Sequence, residues 1–126
     1  GAITAAARTL IADARLSAVA ITGIERPGTV SNMLVLEQTC YEATAPRLDR
    51  GFNGTGDLFA ALLTAWLVRT GDVRSAFARA AGGLETATRI TDRSGRMELD
   101  LPAILKSLKR LCPAALKEVP APLGKV

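Results

Sequence analysis

Apolar residues keep two different rhythms along the chain. Ile3, Ala6, Ala7, Leu10, Ile11 and Ala14 recur at the i, i+3, i+4 spacing of one helical face, which predicts an amphipathic helix from Ile3 to Arg15. The rhythm then changes. Ser17-Ala18-Val19-Ala20-Ile21-Thr22 is a short, continuous apolar run with β-branched members, as in strands covered on both faces. A helix leading into such a strand predicts a parallel sheet with covering helices. Gly23-Ile24-Glu25-Arg26-Pro27-Gly28, with two Gly and a Pro, predicts a loop leaving that strand. Ser31 to Glu37 and Cys40 to Ala45 are the next strand candidates, with Pro46 closing the second.

Leu48-Asp49-Arg50-Gly51-Phe52-Asn53 is an irregular lead-in to a helix that starts at Thr55 or Asp57 and runs to about Thr70. That helix is apolar on nearly every face, which predicts an interior position. Gly71 ends it, and Asp72 is a suitable N-cap for an Ala-rich helix from Val73 to about Ile90, closed by the turn Asp92-Arg93-Ser94-Gly95. Met97 to Leu101 reads as extended. Pro102 suits the first turn of a last helix ending near Leu111, and Pro113, Pro120 and Pro122 predict an extended tail. No internal repeat interrupts this alternation of strands and helices.

Composition narrows the choices. The 126 residues suffice for one small domain, and 48% hydrophobic with 22% charged residues is ordinary globular usage, which argues against disorder and fibrous repeats. The longest apolar stretch, Leu58 to Val68, falls short of the roughly 20 residues that cross a bilayer. The first residues carry no secretory signal pattern, so a cytoplasmic protein is expected, and a start without Met suggests that residues upstream are missing. Cys40 and Cys112 form no C-x-x-C pair, which predicts reduced thiols and no metal site. The absence of His removes the Ser-His-Asp and Cys-His hydrolases and leaves a carboxylate, Lys, Tyr, Cys or backbone dipoles to do any chemistry. The net charge of +4 would suit an anionic partner, but the sixteen Lys and Arg are scattered and the aromatics are one Trp, one Tyr and three Phe. That pattern argues against a nucleic-acid surface and suits the phosphates of a nucleotide.

Gly51-Phe52-Asn53-Gly54-Thr55-Gly56 has the spacing of a P-loop, yet Asp57-Leu58 follows where a Walker loop needs Lys and then Ser or Thr. A carboxylate there would repel the phosphates that the ammonium should hold. The dinucleotide fingerprint fails as well, because Phe59 stands at the third Gly. What remains is Gly-Thr-Gly-Asp opening a helix. Residues without Cβ let a phosphate approach the backbone, and free amides of the first turn point outward with the positive end of the helix dipole behind them. Asp57 could then accept a proton from an attacking hydroxyl, or it could simply stabilise the helix start.

Gly54-Thr55-Gly56-Asp57-Leu58-Phe59-Ala60-Ala61-Leu62-Leu63 resembles the signature of the pyridoxal kinases within the ribokinase-like superfamily. The strand ending in Ile21-Thr22, Asn32-Met33-Leu34-Val35, Pro46-Arg47-Leu48-Asp49 and Glu98-Leu99-Asp100-Leu101 are similar to that family in order and spacing. The resemblance implies an α/β chain, the C-terminal nucleotide-binding part of a three-layer α/β/α fold with a mostly parallel central sheet, lacking the N-terminal half that carries the substrate pocket and lid. It implies ATP-dependent phosphorylation of the hydroxymethyl group of pyridoxal, pyridoxine or pyridoxamine, with Mg²⁺ and a monovalent cation, K⁺ or Na⁺.

By the same resemblance Asp57 is the general base. Gly54, Thr55 and Gly56 hold the developing charge, Gly56 and Asp57 border the substrate, and Thr22 and Gly23 meet the phosphates or the cation. Leu48 and Phe52 line the adenine pocket, or else are plain core. Gly23 departs from the family, which often has a hydroxyl residue there. The implied partners are ATP and a B6 vitamer, with no nucleic acid or membrane and a homodimer in the full-length enzyme. The isolated segment is expected to be inactive. The alternatives are a related kinase for a hydroxymethylpyrimidine or a sugar, and a non-catalytic nucleotide-binding or assembly module.

Overall fold

The computed structural model describes residues 1–48, 51–95, 97–107 and 113–119. Helix α1 (Ala2–Ala14) is followed by β1 (Ala18–Arg26), β2 (Thr29–Leu36) and β3 (Cys40–Pro46). Two long helices come next, α2 (Thr55–Thr70) and α3 (Val73–Ser94), and then the short α4 (Leu101–Ser107) and β4 (Lys117–Val119). Asp49 and Arg50, the end of the last helix near Leu111, Cys112, Pro120 and Pro122 lie outside the described residues.

The strands form one sheet in the order β1-β2-β3-β4, and each neighbouring pair is antiparallel. The mostly parallel sheet expected from the sequence is therefore not what these four strands build. The connections explain why. Only Pro27 and Gly28, the latter at φ 74°, separate β1 from β2, and only Glu37 to Thr39 separate β2 from β3. A parallel crossover needs a dozen or more residues, whereas two or three suffice for a hairpin. The one parallel pairing among the described residues is the isolated bridge between Asn53 and Glu98.

The α/β layering itself is present. On one face of the sheet Ala7 and Ile11 of α1 pack against Met33, Val35 and Cys40, with Val19, Ile21 and Ile24 beside them. On the other face Leu34 and Ala43 meet Phe59 of α2 and Phe77, Ala80 and Ala81 of α3. Phe59 and Phe77 contact edge to face, with centroids 5.9 Å apart, an arrangement favoured by the ring quadrupoles. The small residues Ala76, Ala80, Ala81 and Ala87 on the buried side of α3 leave room for α2 and the sheet.

Helix boundaries follow their caps. Gly71 at φ 67° ends α2, the Asp72 carboxylate accepts from the Arg74 N–H at 3.3 Å to start α3, and Gly95 at φ 75° ends it. The α3 helix thus continues past Ile90 to the turn that was expected to stop it. Two other expectations are corrected. Gly23 to Arg26 is strand, because a bulge absorbs Gly23 without ending the ladder. Helix α2 is not interior: Phe59 is its one buried residue among those described, and Val68 is 83% exposed. One side of α2 packs on α3 and the sheet. The apolar residues on its other side have no covering layer among the described residues, so hydropathy registers a demand for burial that those residues do not meet.

Candidate phosphate and proton-transfer site

The glycine loop is fixed from both sides. Asn53 N–H donates to the Met97 carbonyl at 3.1 Å, and Asn53 bridges Glu98. A Cβ built on Gly54 would touch Leu99 Cδ1 at 3.8 Å, so this extended segment runs directly behind the loop. That segment is held in turn by Thr91 Oγ1, which accepts from Asp100 N–H at 3.1 Å. Gly54 takes φ 87°, a left-handed conformation that side chains rarely adopt, and this turns the chain into α2.

The first intrahelical bond of α2 runs from Leu58 N–H to the Gly54 carbonyl at 3.0 Å. The amides of Thr55, Gly56 and Asp57 therefore precede the helical ladder and have no acceptor within it. Gly56 and Asp57 are exposed and Thr55 is half-buried. A Cβ on Gly56 would meet no atom within 4 Å, so the space beside its amide is open. Three amides free of the ladder and the positive end of a 16-residue helix can hold an anionic group, and the carboxylate on the first turn can take a proton from a hydroxyl beside it.

Thr22 and Gly23 stand on β1, at a bulge. Ile21 pairs with Met33 and Ile24 with Ser31, so Thr22 and Gly23 together oppose the single residue Asn32. Gly23 has φ 70°, and its N–H donates to Asn32 Oδ1 at 3.1 Å. Thr22 is exposed. It follows Ala20, which packs in the same cluster as Phe59, two residues beyond Asp57. Among the described residues no hydrogen bond joins Thr22 or Gly23 to the Gly54 to Asp57 turn. Leu48 and Phe52 are half-buried, and neither belongs to the two core clusters.

A separate concavity of about 460 Å³ lies on the α1 face of the sheet, bounded by the first turn of α1, Arg8, Arg26, Cys40 and Glu42. It contains none of the expected site residues. Its charged residues satisfy one another in part, with Arg26 Nη1 2.7 Å from the buried Glu42 carboxylate. Burial pushes the Cys40 thiol upward, with Arg8 opposing and Glu42 reinforcing the shift. No helix among the described residues is long and apolar enough to cross a membrane.

Sequence reasoning missed Asn32 and the bulge. The available signal was an isolated Gly inside a β-branched run, which is as compatible with a bulge as with the end of a strand.

The chain resembles known proteins in sequence and in fold. The chain is 36% identical over 89 residues to the pyridoxal kinase PdxY of Leifsonia xyli, covering 68% of this chain and 31% of that relative. It superposes with a TM-score of 0.80 and 22% identity on the pyridoxal kinase of Leishmania donovani solved with ADP and ginkgotoxin, over 95% of this chain and 45% of the other. A phosphomethylpyrimidine kinase proposed for Bacteroides thetaiotaomicron gives a TM-score of 0.79 at 23% identity, over 93% and 42%. The chain therefore spans less than half the length of each of these relatives. Residues 2–100 match the family profile described as phosphomethylpyrimidine kinase, and with more than half of its length inside that match the chain belongs to the phosphomethylpyrimidine kinase family.

Proposed function

We propose that this chain is the C-terminal nucleotide-binding part of an ATP-dependent kinase that phosphorylates the hydroxymethyl group of pyridoxal, pyridoxine or pyridoxamine. The observation that carries this reading is the first turn of α2, where left-handed Gly54, the open space at Gly56 and the exposed carboxylate of Asp57 stand together. The 36% identity to a pyridoxal kinase supports the choice of substrate.

In this reading the amides of Thr55, Gly56 and Asp57 hold the oxygens of the transferred phosphoryl group, where charge develops. Asp57 accepts the proton as the acceptor hydroxyl forms its bond to phosphorus and the bond to the β-phosphate oxygen breaks, releasing ADP. Thr22 and Gly23 meet the nucleotide's phosphates or the monovalent cation, and Leu48 and Phe52 border the adenine. Among the described residues no three His, Cys, Asp or Glu gather to hold a metal ion. Mg²⁺ belongs to the proposal as the companion of the nucleotide's phosphates. The antiparallel strands seen here would form one end of a larger sheet whose remaining strands are mostly parallel.

A hydroxymethylpyrimidine is the second reading, favoured by the family profile itself. The deciding experiment offers ATP with pyridoxal, pyridoxine, pyridoxamine or hydroxymethylpyrimidine to the complete protein and separates the phosphorylated products. The proposal expects the B6 vitamers to be phosphorylated with much the higher kcat/KM. A preference for the pyrimidine establishes the second reading, and ATP binding without transfer to any of the four returns the site to a non-catalytic module.

A further inference from the structure

We propose that Asn32 is a positioning residue for nucleotide binding, acting through the β1 bulge; the inference rests on the reading that Thr22 and Gly23 meet the nucleotide's phosphates. Two residues of β1 face one residue of β2 at this point, and such an arrangement leaves the extra residue outside the regular ladder. Here the Asn32 side chain replaces the missing ladder bond. Its oxygen accepts the Gly23 N–H at 3.1 Å, and since an amide N–H must be met by an acceptor, the orientation of the carboxamide is fixed.

The bulge also re-phases the strand. Ile21 and Ile24 are three residues apart, yet both pack on the α1 face with Met33 and Val35. In an unbroken strand, residues three apart point to opposite faces. Between the two isoleucines, Thr22 continues the side of Ala18 and Ala20, which pack against the cluster that contains Phe59 of α2 and Phe77 of α3. Asn32 precedes Leu34 and Leu36 on that same side of β2. The bond therefore holds Thr22 on the face that carries α2 while allowing Gly23 its φ of 70°. Without it, Gly23 would lose its acceptor and Thr22 its fixed presentation, while neither core cluster would lose a member.

The test compares Asn32→Ala, Asn32→Asp and Thr22→Ala in the complete protein, reading KM for ATP, KM for the acceptor, kcat, and hydrogen exchange at the Gly23 amide. Asn32→Ala is expected to speed Gly23 exchange and raise KM for ATP about five- to tenfold, the worth of one modest hydrogen bond, with KM for the acceptor unchanged. Asn32→Asp keeps the acceptor oxygen, so Gly23 stays protected, but its charge beside the phosphates raises KM for ATP in a salt-dependent way. It remains informative if the Ala variant fails to fold. An unchanged KM for ATP in the Asp variant, or in a folded Ala variant, overturns the inference when Thr22→Ala does raise KM. An unchanged KM in Thr22→Ala shows instead that the phosphate reading beneath it has failed.

Discussion

Alanine at Gly56 and alanine at Gly54 should move stability and nucleotide binding in different directions. Gly54 has φ 87°, and a side chain in the left-handed region costs about 1–2 kcal/mol. The contact its Cβ would make with Leu99, at 3.8 Å, is ordinary and adds no clash, so backbone strain alone sets the loss. Gly56 is not among the glycines with positive φ, and its Cβ would meet nothing within 4 Å. Gly56→Ala is therefore expected to stabilise the fold by roughly 0.5–1 kcal/mol, through the smaller entropy of the unfolded chain. In the proposed kinase the same methyl group would occupy the space through which a phosphate oxygen would reach the amide. Loss of one hydrogen bond to a charged group is worth roughly 1.5–3 kcal/mol, so ATP should bind about 10- to 100-fold more weakly. Urea midpoints and calorimetric titration with ATP read the two effects separately. A Gly56→Ala protein that is more stable and binds ATP as tightly as the parent would refute the close backbone approach, and a less stable one would refute the open space.

Asp57→Asn in the complete protein should lower kcat by at least ~10²-fold with little change in ATP affinity, as expected for a positioned base; near-normal turnover would leave Asp57 a helix-start residue. The 126 residues alone should yield no phosphorylated vitamer and should self-associate, because Val68 is 83%, Leu105 63% and Leu101 51% exposed; a monomer at all concentrations in sedimentation would contradict this. Phe77→Ala, at a fully buried ring, should cost about 3–5 kcal/mol in a denaturant titration. The raised Cys40 thiol gives folded and unfolded states different proton affinities above the ordinary value of 9.0. Its stabilising contribution is complete below that pH and declines as the pH rises above it, and Cys40→Ala should flatten the alkaline limb of the stability profile.

Helix ends were legible because their signals are local. Gly71-Asp72 and Gly95 act through their own φ angles and the Asp72 side chain, and α2 begins at Thr55, the earlier of the two starts that its sequence allows. Strand direction was not legible, since an apolar run such as Val19-Ala20-Ile21 is compatible with parallel or antiparallel pairing and the deciding quantity was the two-residue Pro27-Gly28 connection. Strand β4 carries almost no pattern in Lys-Glu-Val, and its place comes from pairing with Cys40 to Glu42. At the candidate site, Gly54 to Asp57 could be read directly because spacing alone sets their relation to the helix dipole. Asn32 could not, because its partner Gly23 is nine residues away and the contact exists only in one cross-strand register.

In the proposed kinase the exposure of α2 and the chemistry assigned to its first turn have a common origin. Phosphoryl transfer requires the acceptor hydroxyl to be held about 3–3.5 Å from the reacting phosphorus, and the attacking and leaving oxygens lie on opposite sides of it. A backbone cradle at a helix N-terminus serves the transferred group but does not by itself hold a pyridine ring. The residues next to Asp57 that are free to meet an acceptor, Gly56, Ala60 and Ala61, are small and exposed, and none of them bears a hydrogen-bonding side chain. The apolar surface continues down the same helix to Leu67 and Val68. A layer that covers this surface would exclude water from Asp57 and could bring the acceptor's binding groups with it, so burial and catalytic assembly would be one event. Within the proposed kinase, this chain then supplies the phosphate cradle and the base, while the choice among hydroxymethyl substrates rests with the layer that packs over α2.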